Sequence, residues 1–118
     1  MAGRLTTHVL DTARGVPGGD IAFVLHRLEG EARIPVASGR TNANGRTDAP
    51  LLEGDAMRVG RYELVFAAGA YFRAHGMVLS DPPFLDEIVL RFAIADAAAH
   101  YHVPLLASPW SYATYRGS

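Results

Sequence analysis

His100 and His102 stand one residue apart in the stretch HYHVPLLASPWSYATYRGS. On a strand, residues i and i+2 share a face. Two imidazoles then project side by side, with Tyr101 and Val103 on the opposite face. Imidazole titrates at about pH 6.5, so such a pair can supply a general base and its partner, or two ligands for a metal. The plainer alternative is two half-exposed histidines on a solvated face. A third group decides between these readings.

His8 is the candidate third group. In RLTTHVLDT it shares a face with Thr6 and Leu10, while Leu5, Thr7 and Val9 face a core. A histidine beside threonines on an outer face has no packing task. Zinc held by His8, His100 and His102 is one arrangement, although no carboxylate stands nearby as its base. His26, in an apolar strand, is a weaker candidate. So is His75 at a helix end, where a cation simply suits the dipole. Arg46 follows the turn NANG, and a loop arginine is ordinarily just solvated. Tyr115, Arg116 and Ser118 close the sequence, with Tyr115 on the face of Ser111 and Ala113.

The elements that position these groups read as many short strands. RLTTHVLDT turns at ARGVPGGD. IAFVLHRLE places Ile21, Phe23 and Leu25 on one face and Ala22, Val24, His26 and Leu28 on the other, which predicts cover on both sides. PVASGRT and GRTDAPLL are predicted strands flanking the tight turn NANG. RYELVFAA alternates, with Tyr62, Leu64 and Phe66 inward. GAYFRAHGM predicts a short helix ending near Gly76. FLDEIVLRFAIAD is read as one long strand with Phe84, Ile88, Leu90, Phe92 and Ile94 on one face; helical spacing is its rival there, and the β-branched and aromatic content decides for strand. HYHVPLLAS and SYATYRG are the last two. About seven or eight strands and one helix imply an all-β sandwich in a single domain spanning residues 1–118.

Composition narrows the chemistry. The chain has 118 residues, 49% of them hydrophobic, and a net charge of -1, so it is globular and carries no electrostatic footprint for nucleic acid or an anionic membrane. Cysteine and lysine are absent, which removes a thiol nucleophile, thiolate metal ligands, a Schiff-base lysine and a P-loop lysine. No G-x-S-x-G, H-E-x-x-H or Walker motif occurs. GVPGGD lacks the strand–loop–helix context of a phosphate loop. Asp86 and Glu87 are adjacent, so on a strand they face opposite ways and make a poor carboxylate dyad. No signal segment or spanning helix is read, which predicts a cytoplasmic protein.

The blocks LTTHVLDTARGVPGGDI, GRTDAPLL and HYHVPLLASPWSYATYRGS together resemble the 5-hydroxyisourate hydrolases, the transthyretin-related enzymes of purine catabolism. The terminal YRGS is the mark that separates these hydrolases from transthyretin, the hormone carrier. The resemblance covers essentially the whole chain. It implies a sandwich of two four-stranded sheets with one short helix, and a homotetramer formed as a dimer of dimers around a central channel that holds the active sites. The charge-poor final stretch suits such an interface, where unpaired charge is expensive.

The reaction implied is hydrolysis of 5-hydroxyisourate to 2-oxo-4-hydroxy-4-carboxy-5-ureidoimidazoline, without metal or cofactor. The positions carried over by motif are His8, Arg46, His102 and residues 115–118. His8 and His102 activate the water and move its proton, in an order the residues leave open. Arg46 pairs with the planar anion through its forked donors. Tyr115 orients the ring or steadies an oxyanion, Arg116 contributes to binding, and Ser118 completes the pocket. Trp110, Ser111 and Ala113 depart from the Tyr, Gly and Ser more usual there, and Ala113 removes a hydroxyl from the channel wall. The rival reading is a carrier of a small aromatic ligand in the same fold.

Overall fold

Alternation of buried and half-buried side chains governs the strand that begins the fold. In β1 (Arg4–Asp11), Leu5, Thr7, Val9 and Asp11 point inward, and Thr6, His8 and Leu10 point outward. The computed structural model describes residues 3–118. After β1 come β2 (Val16–Pro17), β3 (Ala22–Glu29), β4 (Ala32–Arg40), β5 (Leu52–Glu53) and β6 (Gly60–Phe66). The helix α1 (Ala68–Ala74) is followed by β7 (Ile88–Ile94), β8 (His100–Ala107) and β9 (Tyr112–Ala113).

Two sheets form the sandwich. One runs β2-β1-β8-β9, with β5 also pairing to β1; the other runs β4-β3-β6-β7. The first sheet therefore has five strands rather than the expected four, because Leu52 and Glu53 pair with Leu5 and Arg4. Between the sheets Leu5, Leu25, Leu64, Phe66 and Leu105 are fully buried. Each such side chain is stabilised by about 1.5–3 kcal/mol relative to exposure, so the core fixes which face of each strand looks out. Tyr62, Leu64 and Phe66 lie inward as their alternation predicts.

Three local expectations are corrected. GRTDAPLL is a loop and not a strand until Leu52: Asp48 and the Arg46 N–H bond the Asn42 side chain, the Thr47 hydroxyl donates to the Ala49 carbonyl, and only Gly45 and Leu51 bond β1. The strand in FLDEIVLRFAIAD begins only at Ile88; Phe84 is 74% exposed, since SDPPF and the bend after it carry the chain away from the sheet. The outer face of β3 is only half-buried at Ala22, Val24 and His26, so within the chain one side alone is covered. A register shift between Leu25 and His26 also interrupts its alternation.

The helix ends as expected, with Gly76 at φ 81° just beyond it. Gly69 lets α1 approach its neighbours: a Cβ there would lie 2.9 Å from the Asp86 carboxylate and 3.0 Å from the Pro83 ring. At the end of β1, buried Asp11 accepts from the backbone N–H of Ala13 and Arg14, the Arg14 guanidinium and the Tyr71 hydroxyl. This network ties α1 to the strand that carries His8, and it keeps the Asp11 carboxyl below its ordinary range despite burial, which acts the other way.

Candidate active site

β1 and β8 are parallel neighbours, with Arg4 opposite His100, Thr6 opposite His102 and His8 opposite Pro104. Because both strands expose their even positions, Arg4, Thr6, His8, His100 and His102 come to one outer face. The Thr6 hydroxyl lies between the two imidazoles, 2.9 Å from Nε2 of His100 and 2.8 Å from Nδ1 of His102.

The NANG loop closes one side of this face. Val9 N–H donates to the Gly45 carbonyl at 2.7 Å, and Leu51 N–H donates to the Leu5 carbonyl at 2.8 Å, so the loop is fastened to β1 at both ends. Gly45 has φ 74°, and a Cβ there would collide with the Val9 carbonyl; the glycine is required by both conformation and space. Asn42 holds the turn from within, its Oδ1 accepting from Asn44 and Arg46 N–H and its Nδ2 donating to Asp48. Arg46 is thereby held on a rigid turn beside the histidines, and it makes no ion pair among the described residues.

The result is an open cleft of about 440 Å³ whose walls include Arg4, Thr6, Arg46, His100, His102 and Ser118. That volume falls within the usual range for small-ligand sites, about 300–1,000 Å³. His8 stands beside it on β1, next to Gly45. Partial burial, and then the charge of Arg46, hold the His102 imidazole below its ordinary pKa, with His100 and His8 adding to the effect. Burial and Arg46 depress His8 in the same direction, opposed by a bond to the Asn44 backbone. Both shifts favour the neutral, proton-accepting form of these rings.

The segment after β9 completes the wall. Gly117 and His102 exchange backbone hydrogen bonds of 2.7 and 3.3 Å, and the Thr114 hydroxyl donates to the Pro104 carbonyl. A Cβ on Gly117 would lie 3.0 Å from Cδ2 and 3.1 Å from Cβ of His102, so only glycine lets the segment lie flat against that ring.

His8, Arg46, His102 and Ser118 are thus gathered at one place. Tyr115 and Arg116 are not: within the chain they line a different groove with Leu90, Phe92, Tyr101 and Val103. Arg116 stacks 4.3 Å above the Tyr101 ring and donates to the His100 carbonyl, contacts that turn it away from the cleft. His75 bonds the Tyr71 carbonyl at the end of α1, and His26 lies in the other sheet opposite Glu63. Arg4, Asp48 and the bridging role of Thr6 went unread in the sequence. The shared face of Thr6 and His8 was the available signal, but the partner strand was not. Among the described residues no group of three metal-ligating side chains converges.

A two-sheet sandwich bearing histidines and an arginine on an outer-face cleft has the architecture of a transthyretin-like protein. Residues 5–117 match the HIUase/Transthyretin family, and the chain belongs to it. The 5-hydroxyisourate hydrolase of Ralstonia nicotianae is 62% identical over 116 residues, covering 98% of this chain and 99% of that one. Among solved structures, Klebsiella pneumoniae 5-hydroxyisourate hydrolase superposes with a TM-score of 0.81 at 33% identity, over 98% of this chain and 99% of that one. (S)-allantoin synthase superposes with a TM-score of 0.94 at 48% identity; the match covers 99% of this chain but only 44% of that one.

Proposed function

We propose that this chain hydrolyses 5-hydroxyisourate to 2-oxo-4-hydroxy-4-carboxy-5-ureidoimidazoline. The observation that carries this reading is the Arg46 guanidinium, without an ion pair among the described residues, set beside two histidines whose charged forms burial and that guanidinium disfavour. Arg46 binds the planar anion through its forked donors. An imidazole takes a proton from water as the oxygen attacks the ring carbonyl. The same proton then goes to the nitrogen that leaves as the cyclic amide opens. Ser118, on the cleft wall, adds a polar contact to the substrate. Tyr115 and Arg116 reach a substrate only if a second chain brings its groove edge over this face.

The names borne by the family relatives support this substrate. The carrier reading shares the fold but gives no task to neutral histidines beside an unpaired arginine. The deciding experiment adds the purified protein to freshly generated 5-hydroxyisourate and follows its ultraviolet decay against the spontaneous rate. Acceleration that survives dialysis against a strong chelator is expected. Decay at the spontaneous rate, with tight binding of the compound, turns the assignment to a carrier.

A cytoplasmic homotetramer completes the reading. Val16, Trp110 and Tyr112, all on or next to strands of the sheet that bears the cleft, are exposed apolar groups that a second chain covers. Light scattering should give close to four times the 12.7 kDa chain mass. Among the described residues no helix is long and apolar enough to cross a membrane.

A further inference from the structure

We propose that His102, Thr6 and His100 form a hydrogen-bonded proton relay, in which Thr6 fixes the tautomer of His102 and His100 receives the charge. The inference rests on the hydrolase reading and identifies which histidine acts as the base.

A threonine hydroxyl has one proton to give and lone pairs to receive. Thr6 Oγ1 meets a ring nitrogen on each side, at 2.9 Å and 2.8 Å. With both rings neutral, it donates to one and accepts from the other, so the two tautomers are coupled. If Thr6 accepts from His102, that ring carries its proton on Nδ1, and Nε2 is left with a bare lone pair. Thr6 then donates to Nε2 of His100. The opposite arrangement puts a proton on Nε2 of His102 and disables it as a base.

The surroundings favour the first arrangement. Among the described residues Nε2 of His102 has no hydrogen-bond partner, yet it is not among the buried unpaired atoms, and His102 lines the cleft. The groups facing that cleft from the other elements are Arg4 and Thr6 on β1, Arg46 and Asp48 on the loop, His100 on β8 and Ser118. His8, Arg46 and His100 each disfavour a charge on His102. Geometry singles out His102 as the base, since Nδ1 is held by Thr6 while the ring lines the cleft, and a charge that its neighbours disfavour needs somewhere to pass.

The step balances as follows. Nε2 of His102 takes the proton that water loses as its oxygen bonds the substrate carbonyl carbon. The Nδ1 proton moves to Thr6 Oγ1 while the Thr6 proton passes to Nε2 of His100, which becomes the imidazolium. As the C–N bond breaks the relay runs back: His100 returns its Nε2 proton to Thr6, Thr6 returns its own to Nδ1 of His102, and His102, thereby protonated on both nitrogens, donates its Nε2 proton to the leaving nitrogen and ends neutral.

The test combines nitrogen-15 NMR of the imidazole rings with kinetics on the full chain. In the wild type, above the titration of His102, Nδ1 should be protonated and Nε2 bare. Thr6→Val keeps a β-branched residue on β1 and removes only the hydroxyl. It should shift His102 toward the Nε2-protonated tautomer and lower kcat tenfold or more, with KM within about twofold, as expected for a lost acid–base contribution. Thr6→Ser should restore both. His100→Ala should lower kcat while Nδ1 of His102 stays protonated. A wild-type His102 protonated on Nε2, a tautomer unmoved by Thr6→Val, or wild-type kcat in Thr6→Val or His100→Ala overturns the relay while the hydrolase assignment stands. Absence of wild-type turnover overturns both, whatever the tautomer.

Discussion

Gly117→Ala is the sharpest test of how the segment after β9 serves the cleft. The added methyl would sit 3.0, 3.1 and 3.4 Å from Cδ2, Cβ and Cγ of His102. Carbon atoms prefer about 3.5–4.0 Å, so the ring or the segment must retreat by about 0.5 Å. If the ring moves, its 2.8 Å bond to Thr6 stretches to roughly 3.3 Å, past the usual range of about 2.7–3.2 Å. If the segment moves, the His102 N–H to Gly117 carbonyl bond, already 3.3 Å, is lost. Either route forfeits one hydrogen bond, about 1 kcal/mol. That lowers the melting temperature by about 4 °C in a domain of this size. The kinetic loss should be larger. Misplacing a reacting group by about 1 Å costs about 10²-fold, so half of that displacement should cost kcat/KM about tenfold. The assay pairs ultraviolet decay of 5-hydroxyisourate with thermal melting of the same sample. A variant with kcat/KM within twofold of wild type refutes the reasoning, since it would mean that the ring tolerates displacement or does not act.

Arg46→Ala and His102→Ala should each lower kcat/KM by about 10²-fold or more, whereas His75→Ala, remote at the end of α1, should not; steady-state kinetics on the three variants decide this. The pH profile of kcat/KM should fall on the acid side with an apparent pKa below 6.5, because burial and Arg46 depress both His8 and His102. In Arg46→Ala that limb should move toward higher pH, since the charge that disfavours protonation is gone. Glu63, nearly buried on β6, accepts from Arg91 at 2.7 and 2.9 Å and pairs with Arg33 at 2.9 Å. Glu63→Ala should cost about 1–2 kcal/mol in a urea titration, less than a fully buried pair because both guanidinium groups can return to water. Arg91, then Arg33, depress the Glu63 pKa against burial, so this contribution is present above its ordinary 4.5 and is lost as pH falls through the lowered value.

The sequence by itself determined a great deal here, because alternation is local. Leu5, Thr7 and Val9 had to face one way and Thr6, His8 and Leu10 the other, and the same period put His100 and His102 together. The positive φ of Gly45 and the end of α1 before Gly76 follow equally from residue type. Where local preference was weak, the reading failed: GRTDAPLL alternates enough to suggest a strand, yet Asp48 and the Arg46 N–H bond the Asn42 side chain and Thr47 bonds the Ala49 carbonyl, which holds the segment as a loop. Only the tertiary structure decided which outer faces meet. Thr6 and His102 are 96 residues apart, and nothing in either segment states that β1 and β8 pair in parallel with that register. The position of Arg46 beside both histidines depends on two backbone bonds from its loop to β1. Arg116 was diverted by the Tyr101 ring and the His100 carbonyl, partners that only pairing of the final segment with β8 brings within reach. Side-chain direction is written in the period of a strand. The identity of its neighbour is set by how two sheets bury their shared core, a property of the whole chain.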